Sequence, residues 1–183
     1  MYTIARNQDR QQRCTAMMRK LQFTDWSFVY GSEGKQHYWQ NVHEDYVELL
    51  KTPAPFLLLE DDSTTTQAYH ATLEYPDDAQ HLFVGGNSCA LGYTEYDDNW
   101  LRIRSMYCGH AMLFIDEATK ELIREILNQR RDVPIDVAIS DNLARFRGYC
   151  LKAPFWYQQD GHNDWSTQHY YPRRTIDLKL IHR

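Results

Sequence analysis

Phe56-Leu57-Leu58-Leu59-Glu60-Asp61-Asp62 sets four apolar residues directly against three carboxylates. Pro53 and Pro55 bound the run upstream, so it reads as a short buried strand. The acids then stand where that strand leaves its sheet. Three adjacent negative charges repel one another, so the turn favours a cation. Hard oxygen ligands on a rigid strand end suit Mg²⁺ or Mn²⁺, ions that commonly accompany phosphates. The plain alternative is a polar strand end running into the loop Ser63-Thr64-Thr65-Thr66.

Upstream of this stretch the pattern alternates. Tyr2 to Ala5 reads as a first strand and Arg6 to Arg10 as a polar turn. Asp9 is a candidate N-cap for a helix to about Gln22, with Cys14, Met17, Met18 and Leu21 at helical spacing. Phe28-Val29-Tyr30 reads as a second strand, closed by Gly31-Ser32-Glu33-Gly34. Residues 37–51 read as a helix with Tyr38, Val42, Tyr46 and Leu49 near one face. Strand, helix, strand, helix, strand predicts an α/β protein with a mainly parallel central sheet flanked by helices. Ligands of such sheets bind beyond the carboxyl ends of the strands. All three predicted ends are polar (Arg6 to Arg10, Ser32 to Glu33, Glu60 to Asp62), and they are expected to share one rim.

Downstream, His81 to Val84 reads as a strand ending at Gly85-Gly86, and Trp100 to Met106 alternates like another. Ala111 to Ile115 is a further strand after Gly109-His110. A helix from Asp116 to about Gln129 turns Leu122, Ile123, Ile126 and Leu127 inward. Pro134-Ile135-Asp136 introduces a helix over roughly Val137 to Phe146, with Asp136 as candidate N-cap. Tyr149 to Pro154 is a late strand. The remaining tail is aromatic and polar with little periodicity, and no repeat or linker interrupts the chain.

A length of 183 residues suits a single domain spanning 1–183 with one substantial core. The net charge of −5 gives no global basic field for holding nucleic acid. Arg173, Arg174, Lys179 and Arg183 offer only a local patch. The four cysteines, Cys14, Cys89, Cys108 and Cys150, form no CxxC pair, which argues against zinc and against a disulfide framework. The opening residues lack a signal-peptide core and no run reaches the length of a membrane span. The expectation is a cytoplasmic protein, a phage-encoded intracellular enzyme included.

Taken in order, these pieces resemble glycosyltransferase family 25, the family of bacterial lipooligosaccharide glycosyltransferases and collagen galactosyltransferases. Tyr2-Thr3-Ile4 with Asp9, Arg10 and Arg13 is similar to its opening, and Leu57 to Asp62 to its metal motif. Gly109-His110-Ala111, Pro134-Ile135-Asp136, Tyr149 to Pro154, Gln158 or Gln159, and Ser166 resemble its later segments. The chain lacks the family's Gly-Cys-x-x-Ser-His segment, whose place Gly34 to His43 fills only loosely. The resemblance implies a GT-A-like nucleotide-sugar-binding fold and a metal-dependent hexosyltransferase, with a UDP-sugar as the expected donor. A saccharide or another hydroxyl compound is the implied acceptor.

On that resemblance Asp62 is the first expected ligand of Mn²⁺ or Mg²⁺. Glu60 and Asp61 help hold the metal, the ribose or both, and His162 in the late loop completes the site. The cation would neutralise a diphosphate leaving group. Arg6 is a candidate contact to the nucleotide or its phosphates, since guanidinium matches phosphate oxygens, and Glu33 one to base or ribose. Asp136 is the implied general base of an inverting transfer, although capping its helix accounts for the same residue. Asp141 is the fallback. His110 is a candidate for orienting either sugar, or a structural histidine at a strand start. Trp156, Tyr157 and Trp165 offer a stacking wall or simply pack the tail. Three other readings compete. One is transfer to hydroxymethylated bases of phage DNA, one a non-catalytic nucleotide-binding relative, and one a metal-dependent phosphoryl enzyme. The last is disfavoured by the absence of a Walker-type loop.

Overall fold

The computed structural model describes residues 1–4, 8–31, 38–65, 72–85, 90–107, 109–158, 162–163 and 166–170. The chain opens with β1 (Tyr2–Ile4), α1 (Gln8–Lys20), β2 (Val29–Gly31), α2 (Tyr38–Leu49) and β3 (Phe56–Leu59). Five strands follow: β4 (Ser63–Thr65), β5 (His81–Phe83), β6 (Ala90–Glu95), β7 (Trp100–Met106) and β8 (Ala111–Phe114). Then come α3 (Glu117–Gln129), α4 (Ile135–Ser140) and a 3-10 turn over Leu143–Arg145. The last elements are β9 (Gly148–Leu151), β10 (Trp156–Gln158), β11 (His162–Asn163) and β12 (Ser166–Tyr170). The fold is mixed α/β.

Six strands form the main sheet, in the order β3-β8-β5-β9-β7-β6. Its direction corrects the expectation of a mainly parallel centre. β3–β8, β5–β8, β7–β9 and β6–β7 all pair antiparallel, while β5–β9 is parallel. The reason lies in the connections. Parallel neighbours need a crossover, usually a helix, and the described residues between β3 and β8 carry strands and turns but no helix. Helices α3 and α4 do intervene between β8 and β9, and β9 lies parallel to β5. At the start of the chain the expected unit is present: β1 and β2 flank α1 and pair in parallel, Tyr2 opposite Val29.

Both faces of the main sheet are covered, which is why its strands read as unbroken apolar runs. Successive side chains point to opposite faces. Leu58, Phe83, Met112 and Cys150 join one core with Tyr46 and Leu50 from the α2 region, Ile123, Ile126 and Leu127 of α3, and Ala138 and Ile139 of α4. Their neighbours Leu59, Leu82, Ala111 and Tyr149 join a second core with Met18 of α1, Trp100 and Trp156. Helix α3 shows how locally this is written. Asp116 caps it, accepting from Thr119 N at 2.8 Å, and its apolar stripe faces the sheet. Buried Lys120 donates to the Thr52 carbonyl at 2.9 Å and pairs with Glu117, tying α3 to the end of α2.

Two details of the sheet matter below. His81 is fully buried among the rings of Phe83 and Phe114, each 4.7 Å away between centroids, and Phe146 at 6.0 Å. Neither ring nitrogen has a hydrogen-bond partner, and burial lowers its pKa to about 3. Strand β6 is an edge strand whose register against β7 slips on both sides of Gly92.

Candidate functional site at the acidic turn

The turn after β3 is folded around one carbonyl. Glu60 N and Ser63 Oγ both donate to the oxygen of His110, at 2.9 and 2.7 Å, and Ser63 N closes the turn on the Glu60 carbonyl at 3.0 Å. His110 is 2% exposed. A Cβ on Gly85 would lie 2.7 Å from its Nε2 and 2.8 Å from the Trp156 carbonyl, so only glycine leaves room for the ring. Burial lowers the His110 pKa to about 4, with the Trp156 backbone opposing the shift. The residue therefore lies beneath the turn as a neutral support. Trp156, 1% exposed, is part of the core.

The three acids meet different surroundings. Asp61 turns toward β1 and α1. Its Oδ2 accepts from Thr3 Oγ1 at 2.5 Å and its Oδ1 from Arg10 Nη1 at 2.9 Å. Cys14 Sγ donates to the Asp61 carbonyl at 3.3 Å. Burial first, and then the Asp61 charge, raise the Cys14 thiol to about 11, so it stays protonated as a donor. Both carboxylate oxygens of Asp61 thus accept hydrogen bonds that fasten the turn to β1 and α1.

Glu60 turns the other way. Tyr46 Oη on α2 donates to its Oε1 at 2.7 Å. Glu60 is only partly buried as a residue, but its carboxyl end is enclosed. Burial, and after it the charge of Asp62, raise its pKa to about 8; the Tyr46 hydrogen bond opposes, and the charges of Asp136 and Asp61 add to the rise. At neutral pH this carboxyl holds its proton unless another cation replaces it.

Asp136 thus reaches the same electrostatic neighbourhood from α4. The cap position expected of it is taken by Pro134, whose carbonyl accepts the first helical bond, from Ala138 N at 2.9 Å. Proline suits a helix start because it has no N–H to leave unpaired. The helix is also shorter than expected, ending at Ser140 before the 3-10 turn. Relieved of capping, Asp136 accepts through Oδ1 from Val137 N at 2.9 Å. Burial raises its pKa, and backbone N–H groups oppose.

Asp62, half-buried, completes the group as the strongest charge acting on Glu60. Among the described residues no three His, Cys, Asp or Glu side chains close into a ready-made metal cage. The donors that fit a hard cation are the Asp62 carboxylate with Glu60 behind it, where neighbouring acids raise each other's proton affinity. Arg6 and Glu33 lie outside the described residues. So does the His162 side chain, although its backbone forms part of β11. Thr3, Arg10 and Tyr46 shape the turn and were not singled out from sequence for that role. Their partners lie far along the chain, and nothing local marks them.

No protein-family model matches the chain, and no curated protein matches it.

Proposed function

We propose that this protein is a divalent-cation-dependent glycosyltransferase with a GT-A-like site, moving a sugar from a nucleotide-sugar donor to a hydroxyl acceptor. The feature that supports this reading most is the acidic turn Glu60-Asp61-Asp62 at a strand end, with the charge of Asp136 on α4 also acting on Glu60. Transfer of a glycosyl group needs a place that balances a diphosphate and, close by, a base for the incoming hydroxyl. Asp62 would hold Mn²⁺ or Mg²⁺, with Glu60 exchanging its proton for the cation's field. Such an ion supplies charge neutralisation for the departing diphosphate. Asp136 takes the acceptor proton. Its raised proton affinity makes it a stronger base than a free aspartate. A saccharide hydroxyl is the preferred acceptor and a UDP-sugar the preferred donor.

The test is a donor screen of the folded protein by thermal shift and calorimetry, using UDP-, GDP-, CMP- and TDP-sugars with and without Mn²⁺. One donor should bind, and only with metal, since a ligand of the native state raises apparent stability by mass action. Asp62→Asn should lose that binding. Asp136→Asn should keep it and lose transfer by about 10²–10⁴-fold. Absence of binding for every donor would end this reading; an active Asp136→Asn would move the base elsewhere.

A further inference from the structure

His43 lies on α2, fully buried, at the junction where α2 meets the end of α3 and the segment leading to α4. Its Nδ1 stands 2.9 Å from the Leu127 carbonyl and its Nε2 2.7 Å from the Val133 carbonyl. Both partners are pure acceptors. A neutral imidazole has one N–H and one lone pair, so it can donate to only one of them. The other nitrogen would then press a lone pair against a carbonyl oxygen. Only the doubly protonated ring satisfies both contacts. Its position suits a cation as well. Leu127 lies in the last turn of α3, where the helix dipole is negative and the final carbonyls lack intrahelical donors.

The two carbonyls fix what the ring holds together. Leu127 belongs to α3. Val133 immediately precedes Pro134, the cap of α4, and lies three residues before Asp136. We infer that His43 is an imidazolium clamp that fastens the α3–α4 connection to α2 and so positions Asp136. The role of Asp136 in this statement rests on the proposed function; the clamp itself does not. The charged groups at the junction are Glu44 and Asp45 on α2, Arg130, Arg131 and Asp132 after α3, and Asp136 and Asp141 at α4. Arg131 pairs with Glu44 at 2.9 Å, and Arg130 with Asp132 and Asp141 at 3.3 Å each, all near the surface. The ring's own partners are the carbonyls.

The test is long-range ¹H–¹⁵N correlation spectroscopy of the full chain labelled at histidine, with His43→Gln used to assign the signal. At pH 6 both His43 ring nitrogens should show protonated-type shifts. A bare acceptor nitrogen at pH 6 would overturn the clamp, and the wild-type protein alone suffices to see it. Amide exchange at Val137 and Ala138 gives the second readout. It should quicken by about tenfold in His43→Gln at pH 6, the loss expected for a charge-assisted hydrogen bond. Unchanged exchange there would sever His43 from Asp136. If neither wild type nor variant transfers sugar while the ring spectra are as expected, the proposed function fails and the clamp stands.

Discussion

Glu60 and Asp61 are neighbours on one turn, and their surroundings are opposite. On the β1–α1 side the Asp61 carboxylate meets a guanidinium and a hydroxyl, and its backbone carbonyl accepts from a protonated thiol. On the α2–α4 side Glu60 accepts from one tyrosine hydroxyl and feels the charges of Asp62, Asp136 and Asp61. Proximity of acids therefore carries no single meaning. One side of the turn is a structural joint, and on the other the neighbouring acids raise the proton affinity of Glu60. Clustered acids of this kind favour a cationic ligand.

The most damaging way to break this contrast is Asp61→Ala. It strips the acceptors from Thr3 and Arg10, whose side chain is 17% exposed. Removing one partner of a buried pair costs about 3–5 kcal/mol. Urea unfolding should show that loss, and a change below ~1 kcal/mol would make the joint ornamental. Gly85→Ala should come next. Its Cβ collides with His110 and the Trp156 carbonyl, and overpacking of this kind costs about 1–3 kcal/mol. Thermal denaturation checks it.

The other side of the turn should behave differently, through pH. Glu60 has a folded pKa of about 8 against an ordinary 4.5. The folded state thus binds the extra proton, and its stabilisation is complete below 4.5 and lost as pH rises through about 8. Glu60→Gln keeps an acceptor for Tyr46 without the charge. Relative to this variant, wild type should weaken with a slope of up to ~1.4 kcal/mol per pH unit across that window. Mn²⁺ should flatten the slope in wild type alone. Parallel pH curves for the two proteins would remove the charge argument. His81 gives the mirror case and the smallest effect near neutrality. Its folded pKa of about 3 lies below 6.5, so stability present above 6.5 is lost as pH falls toward 3. His81→Leu should unfold at lower pH than wild type in an acid titration followed by circular dichroism.

The sequence made the short-range features legible. Phe56 to Leu59 announced a buried strand because both its faces are covered, and α3 announced itself through Asp116 and its apolar stripe. Strand direction was not legible. It depends on whether a helix crosses between strands, and β4 and β6 fall in segments whose alternation is weak or broken at Gly92. The site divides in the same way. An acidic strand end is visible in seven residues. That Asp61 serves Arg10, or that the charge of Asp136 on α4 is felt by Glu60, depends on how distant parts of the chain come together.

The irregularity at Gly92 has a consequence for how molecules of this protein meet one another. Among the described residues β6 stands at the edge of the main sheet, with an exposed Leu91. A straight edge of that kind invites a neighbouring molecule to add its own strand and start an aggregate. The slips in register on either side of Gly92 bend the strand, so an incoming chain finds no continuous ladder to extend. At high concentration this kink is the edge's protection against self-assembly.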